Sequence, residues 1–347
     1  MPLRLGPETF ASRAPFASVD ARRKAGRKAQ ASKARALQRD MDWDSSYVRD
    51  LVDRALAEDI GPRDATVSAT IPDLAAGRAH IVAKQELVCA GLPLAERIFR
   101  RLDPHIKLER HVEDGQLARR GEDLLRLDGR ASAILTGERT ALNFLGRLSG
   151  IATLTHQFVA QLAGTRAKIR DTRKTTPGLR LLERYAVRMG GGTNHRIGLY
   201  DAILLKENHI VVAGGVKAAL DQANSYASSE MSPRATTAYE AVGQPHSQSE
   251  VGSLSIQIEV RNDDELREAL GAGAEVVLLD NMTPEQARAS VQLARSIRSD
   301  CVVEISGGIT LANARAYAET GADYLSSGAL THSAPNADLS LLVDSLD

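Results

Sequence analysis

The chain has 347 residues (37.3 kDa), of which 43% are hydrophobic and 25% charged, and its formal net charge is zero. This composition excludes wholesale disorder, and no apolar run approaches the ~20 residues of a membrane-spanning helix. Two cysteines, Cys89 and Cys301, cannot form a disulfide framework or a cysteine-rich zinc site, which favours a reducing compartment.

The first 40 residues carry ten Lys and Arg side chains against three acidic ones. This basic segment lacks the apolar core of a secretory signal. Three interpretations stay open: an organelle transit peptide, a solvated tail able to touch nucleic acid, or an upstream extension of a chain whose native start is Met41. We expect residues 1–43 to be a disordered extension and the protein to be cytoplasmic, or organellar if residues 1–40 are a transit peptide.

The first folded region is predicted to be an α/β sandwich over residues 44–150. Apolar residues at helical spacing predict a helix over 46–60, ended by Gly61-Pro62. Short strands separated by turns are expected over 78–128, with a helix near 92–102, and an Ala- and Leu-rich helix follows over 131–163.

The second region has the rhythm of βα units and predicts a parallel sheet, open or closed into a barrel, over residues 151–334. Residues 335–347 form a C-terminal segment. A Ser-, Thr- and Pro-rich stretch at 222–255 has no periodicity and is predicted to be a long inserted loop. The predicted strands are 167–171, 202–206, 256–260, 275–280, 301–305 and 323–327, and the predicted helices include 263–271, 284–298 and 311–319.

Reactive or glycine-rich residues follow each of these strands. In a parallel α/β barrel the active site lies at this rim, where the carboxyl ends of the strands meet. A cluster of cations within one pocket indicates a multiply anionic ligand, because Arg binds carboxylate or phosphate through two parallel hydrogen bonds. The candidate cationic residues are Arg173, Lys174, His195, Arg196 and Lys206, with Arg139 on the preceding helix.

Two glycine turns and two carboxylates complete the rim. Ser306-Gly307-Gly308 and Gly328-Ala329 can let backbone N–H groups approach a phosphate. Glu259 and Asp280 are oxygen donors that suit Mg²⁺ beside a phosphorylated substrate. Salt bridges from these carboxylates to Lys174 or Lys206 are the simpler alternative.

These segments resemble the quinolinate phosphoribosyltransferase family (nicotinate-nucleotide pyrophosphorylase, carboxylating). The similarity runs from about residue 46 to 347, in the family's order. It includes Gly-Gly-Gly-Thr-Asn-His-Arg and Leu-Lys-Glu-Asn-His. The matching segments are 138–153, 171–180, 190–196, 205–209, 278–281, 306–309 and 328–333.

The resemblance implies an N-terminal α/β sandwich followed by an incomplete α/β barrel of the type II phosphoribosyltransferases. It also implies a homodimer with shared active sites that converts quinolinate and phosphoribosyl pyrophosphate to nicotinate mononucleotide, pyrophosphate and CO2, with Mg²⁺. Lys174, Glu259 and Asp280 would be catalytic, and the two carboxylates would face Mg²⁺. The substrate-binding residues implied are Arg139 (reaching the partner's site), Thr172, Arg173, His195, Arg196, Lys206, Ser306, Gly307, Gly308, Gly328, Ala329, Leu330 and His332.

The sequence departs from the family pattern at a few points. Gln257 stands where the family usually has Glu, Arg184 replaces a Lys, and the insertion at 222–255 is longer than usual. The alternatives left open are a molybdenum-transport-associated relative, a non-catalytic phosphometabolite binder, and a Schiff-base aldolase using Lys206. Neither nucleic acid nor a membrane is an expected partner.

Overall fold

The structure, a computed structural model, describes residues 41–229 and 254–346. The extension predicted over residues 1–43 therefore lies outside the described residues except for its last three, and most of the predicted loop also lies outside them.

The N-terminal part is built around a four-stranded antiparallel sheet backed by helices. In spatial order its strands are Leu339–Leu346 (β12), Ala76–Ala83 (β1), Asp123–Arg130 (β5) and Lys107–Arg110 (β3). Ser45 caps the first helix by accepting a hydrogen bond from the backbone N–H of Val48. The helix is followed by Gly61, which has a positive φ of 58° that glycine adopts without strain. The bounds are α1 Ser46–Ile60, α2 Ala65–Thr70, β1 Ala76–Ala83, β2 Leu87–Val88, α3 Leu92–Leu102, β3 Lys107–Arg110, β4 Leu117–Ala118, β5 Asp123–Arg130 and α4 Ala131–Gln161.

The C-terminal part is a six-stranded parallel sheet. In spatial order its strands are Lys168–Arg170 (β6), Tyr324–Ser326 (β11), Val302–Ser306 (β10), Val276–Asp280 (β9), Ile256–Val260 (β8) and Ile203–Leu205 (β7). The predicted N-terminal sandwich and incomplete barrel are confirmed. The bounds are β6 Lys168–Arg170, α5 Arg180–Met189, β7 Ile203–Leu205, α6 Glu207–Ala213, α7 Val216–Ala227, β8 Ile256–Val260, α8 Asp263–Gly271, β9 Val276–Asp280, α9 Pro284–Ile297, β10 Val302–Ser306, α10 Ala314–Ala318, β11 Tyr324–Ser326, α11 Ala329–His332 and β12 Leu339–Leu346.

The prediction of a loop over 222–255 is wrong at its start, because residues 222–227 form the second half of helix α7. Val216, Ala219, Leu220 and Ala223 are buried at helical spacing, so the apolar stripe continues past the polar residues that suggested a loop. Residues 230–253 lie outside the described part of the chain.

Two elements join the N- and C-terminal parts. Helix α4 runs without a break through residue 150 and packs on both α3 and α5. Strand β12 returns to the N-terminal sheet and pairs antiparallel with β1. The C-terminal residues therefore complete the sheet formed by the first part of the chain.

Candidate active site

A cavity of about 590 Å³ opens at the carboxyl ends of the parallel strands. It is lined by fourteen of the residues predicted from sequence, and Arg139 and Leu330 are the predicted residues it lacks. Those present are Thr172, Arg173, Lys174, His195, Arg196, Lys206, Glu259, Asp280, Ser306, Gly307, Gly308, Gly328, Ala329 and His332.

The cationic wall of the cavity is held by Asp171, which follows β6. Its buried carboxylate accepts hydrogen bonds from the backbone N–H of His195, at 2.7 Å, and from the amide of Asn194. Burial raises the pKa of Asp171, and Arg184, 3.7 Å away, opposes this shift. Asp171 therefore ties the glycine-rich segment 190–196 to the strand end that carries Arg173.

His195 and Arg196 present nitrogen donors at this wall. The backbone N–H of Arg196 donates to His195 Nδ1 at 2.8 Å, and burial lowers the pKa of His195. His195 is thus a neutral donor rather than the cation its sequence neighbours suggest. Burial and the nearby Arg173 lower the pKa of Arg196. The Arg196 Nε atom is buried and has no hydrogen-bond partner among the described residues, while Nη1 donates to the carbonyl of Ala202 at 2.9 Å.

The two predicted carboxylates lie at the carboxyl ends of the neighbouring strands β8 and β9. Glu259, at the end of β8, forms an ion pair with Lys206, which follows the neighbouring strand β7. Asp280 ends β9 and accepts a hydrogen bond from the amide of Asn281 at 2.8 Å. The alternative of a Lys206 salt bridge is therefore observed for Glu259, although both carboxylates still face the cavity.

These carboxylates fit Mg²⁺ only as a partial ligand set. No group of three or more His, Cys, Asp or Glu side chains that could hold a metal occurs within residues 41–229 and 254–346. Mg²⁺ bound with a phosphorylated substrate needs only one or two protein carboxylates, since phosphate and water oxygens fill the remaining positions. The donor chemistry of Glu259 and Asp280 is compatible with that arrangement.

The two glycine turns form the remaining side of the cavity. Gly307 has φ 97°, and a Cβ there would lie 2.2 Å from the Asn281 side chain, so only glycine fits. In the described part of the chain, the N–H groups of Gly307 and Gly308 meet no acceptor. A Cβ on Gly328 would lie 3.0 Å from both Lys174 and His332. These turns offer backbone donors next to Lys174.

Sequence reasoning missed several lining residues, of which Glu304 and Asn281 have the clearest roles. Glu304 interrupts the apolar run of β10 two residues before Ser306, so both face the same side of the sheet. The polar residue within this apolar run, two positions before Ser306, could have identified Glu304 from the sequence. Leu330, in contrast, is fully buried, and its side chain contributes to the core.

Arg139 lies on α4, exposed to solvent and outside the cavity. Within the described residues it forms neither a hydrogen bond nor an ion pair. A single chain therefore does not bring Arg139 to the other predicted residues.

Most of the chain matches the models of one known family. The model of the quinolinate phosphoribosyl transferase N-terminal domain matches residues 64–149, and that of the C-terminal domain matches 151–244 and 234–342. No helix within the described ranges has the length and apolar character needed to cross a membrane.

Individual relatives agree with these models. A probable nicotinate-nucleotide pyrophosphorylase [carboxylating] of Bacillus subtilis is 39% identical over 85% of this chain and 92% of its own length. The chloroplastic nicotinate-nucleotide pyrophosphorylase [carboxylating] of Oryza sativa is 34% identical over 97% of this chain and 89% of its own. The crystal structure of NadC from Streptococcus pyogenes superposes with TM-score 0.77 at 35% identity, covering 89% of this chain and 98% of that one.

Proposed function

We infer, because the chain belongs to the quinolinate phosphoribosyltransferase family, that it joins quinolinate to the phosphoribosyl group of phosphoribosyl pyrophosphate. The products are nicotinate mononucleotide, pyrophosphate and CO2, and the protein is a pentosyltransferase of NAD biosynthesis. The observation that carries this conclusion is one cavity that brings together a cluster of cations, two glycine turns and two carboxylates. Nothing in the relatives favours the molybdenum-associated alternative.

The cationic wall suits the quinolinate dianion. Arg173, Arg196 and Lys206 supply charge, and the neutral ring of His195 lies beside them. Lys206 must leave Glu259 or share it when a substrate carboxylate arrives, so quinolinate binding frees a carboxylate that faces the other substrate. This exchange links the two halves of the cavity.

The opposite side suits the ribosyl donor. The free N–H groups of Gly307 and Gly308, together with the turn at Gly328, would hold phosphate groups, and Lys174 would lie where the two substrates meet. Glu259 and Asp280 would hold Mg²⁺ together with pyrophosphate oxygens, and the ion would neutralise charge on the leaving pyrophosphate.

The chemistry follows from this placement. Attack of the pyridine nitrogen on the anomeric carbon breaks the bond to pyrophosphate and builds positive charge on the ribose, which the carboxylates of Glu259 and Asp280 can stabilise. The nitrogen then carries a positive charge and stabilises the electron pair that departing CO2 leaves on the adjacent ring carbon, and a proton takes up that pair in place of the lost carboxylate. No side chain needs to form a Schiff base.

The test is product formation by the full-length protein. With quinolinate, phosphoribosyl pyrophosphate and Mg²⁺, we expect equimolar CO2 and pyrophosphate, and neither when one substrate is omitted. A phosphometabolite binder would instead be stabilised against heat without releasing products. A Schiff-base enzyme would be trapped at Lys206 by borohydride with a carbonyl substrate. Absence of CO2 from folded protein would reject this function.

The quaternary structure and location extend the proposal. The exposed, unpaired Arg139 supports a homodimer in which Arg139 of the partner subunit completes each quinolinate site. We place the protein in the cytoplasm, with an organelle as the alternative because the rice relative is named chloroplastic. A reporter fused to residues 1–40 separates the two locations.

A further inference from the structure

Beneath the cationic wall lies a buried carboxylate that the reaction does not use. Glu304, fully buried on β10, accepts hydrogen bonds from Arg170 Nη1 at 2.8 Å, from Gln257 Nε2 at 2.9 Å and from Ser326 Oγ. These donors come from three other strands, β6, β8 and β11. Three donors converging on one group indicate an ionised carboxylate.

Stability alone is a weak reason for such a group. Removing an Arg and a Glu from water costs several kcal/mol per ion, and well-packed apolar side chains are often equally stable in their place. Arg170 is further fixed by stacking on Tyr324, with the guanidinium carbon 3.6 Å from the ring centre. Glu304, Arg170, Gln257 and Ser326 therefore form a rigid charged cluster at the base of the cavity, called the floor below.

The floor lines the cavity itself through Glu304 and Ser326, and it also lies next to His195. The His195 Nε2 atom lies 3.5 Å from Glu304 Oε1, while Nδ1 accepts the backbone N–H of Arg196. Because Nδ1 is an acceptor, the proton of the neutral imidazole is on Nε2, the atom that faces Glu304.

The charges around His195 act in opposite directions. Burial is the largest cause and lowers the pKa of His195. Three cations lower this pKa further, and Glu304 from β10 raises it. The cations are Arg170 from β6, Arg184 from α5 and the adjacent Arg196. The imidazole stays neutral because the cations and burial prevail. Glu304 attracts the Nε2–H bond without protonating the ring.

We propose that Glu304 is a positioning residue that holds His195 in its neutral Nε2–H form, with that N–H directed at Glu304, beside the quinolinate wall of the cavity. A neutral ring does not repel the positive charge that ribosyl transfer creates on the pyridine nitrogen. The inference rests on the proposed function for the identity of the substrate. The arrangement of Glu304 and His195 does not depend on it.

The first test reads His195 directly, in full-length protein without substrates. The chain has eight histidines, so ¹⁵N-histidine labelling with a His195→Asn variant assigns its signals. We expect the Nε2–H tautomer in the wild type. Glu304→Gln should lower the His195 pKa further, because the opposing carboxylate is gone. Ser326→Ala should raise it, because the freed Oε1 becomes a stronger partner for the imidazolium. Unchanged His195 titration in both variants would overturn the proposal.

The second test is kinetic. In Glu304→Gln we expect the KM for quinolinate to rise roughly tenfold, while the KM for phosphoribosyl pyrophosphate stays within about twofold. The matched control is Glu96→Gln. Glu96 accepts two hydrogen bonds from Arg110 in the N-terminal part and does not line the cavity, so both KM values should be unchanged.

The outcomes separate the two proposals. A folded wild type that releases no CO2 rejects the function, and the His195 titration still decides the role of Glu304. An active enzyme whose Glu304→Gln variant keeps its quinolinate KM rejects the positioning role alone. If Glu304→Gln fails to fold, Ser326→Ala carries the test, because its His195 pKa must rise.

Discussion

Asn281 shows how one backbone conformation serves two parts of the cavity. Among the described residues it is the non-glycine residue with positive φ, at 53°, a conformation that Asn tolerates better than most side chains. Its amide donates to Asp280, and its backbone N–H donates to the carbonyl of Ser306 at 2.9 Å. The residue thus fixes a carboxylate and a glycine turn together.

Replacing Asn281 with glycine separates its structural role from its functional role. Glycine adopts the left-handed conformation freely, so we expect Asn281→Gly to keep its free energy of unfolding within about 1 kcal/mol of wild type. Asp280 loses its amide donor, and kcat/KM for phosphoribosyl pyrophosphate should fall roughly tenfold. Thermal unfolding and steady-state kinetics measure the two effects. A folded variant with wild-type kcat/KM would show that Asp280 is held by other contacts.

At this scale the sequence predicted the rim residues but not the groups that orient them. Arg173, Lys206 and Asp280 lie at or shortly after the carboxyl ends of their strands, so their positions could be read from the pattern. The partners of Glu304 could not, because they depend on which strands are neighbours and on their register. Ser306 pairs with Asp280 across β9 and β10, 26 positions apart in the chain, and only the assembled sheet shows it.

At the scale of elements, the contact between α4 and the C-terminal segment depends on glycine. Gly150 lies in the middle of α4, and a Cβ there would be 1.9 Å from the carbonyl oxygen of Pro335. One turn earlier, the carbonyl of Gly146 accepts the N–H of Ala337 at 2.9 Å. The helix and the segment leading to β12 therefore touch backbone to backbone.

Two glycine-to-alanine substitutions in helices should affect the free energy of unfolding differently. Gly150→Ala forces the chain at Pro335 to move, and we expect a loss of roughly 1–3 kcal/mol in the free energy of unfolding. Gly271, the last residue of α8, has open space around its missing Cβ. Gly271→Ala should leave stability unchanged or raise it by up to about 1 kcal/mol. Equal melting temperatures for the two variants would contradict the close contact.

Local patterns predicted the strands of the barrel well, because each is a short apolar run between polar turns. They could not predict β12. Its partner β1 lies more than 250 positions earlier, with Ala83 opposite Leu339, and the segment carries no turn signal linking it to that strand. The predicted loop failed for a different reason, since polar residues on the exposed face of α7 concealed its buried stripe.

At the scale of the whole molecule, Arg139 is the predicted polar residue that lies outside the cavity. In the described part of the chain it has no hydrogen-bond or ion-pair partner. Its helix α4 belongs to both parts of the chain, yet its side chain is exposed and free of ion pairs within the described residues. A cation that clamps a substrate carboxylate contributes roughly 1.5–3 kcal/mol, whereas an exposed surface cation contributes little. The two roles predict different kinetics.

Mixing two impaired variants tests whether Arg139 acts across a dimer. Arg139→Ala and Lys174→Ala should each lower kcat/KM at least roughly tenfold. If each site takes Arg139 from one subunit and Lys174 from the other, a mixed dimer has one doubly altered site and one intact site. After subunit exchange we expect activity to recover to about a quarter of the wild-type rate, because half of the randomly formed dimers are mixed. Exchange is verified independently with differently tagged subunits. Confirmed exchange without recovery would place Arg139 and Lys174 of one chain in the same site, or exclude Arg139 from it.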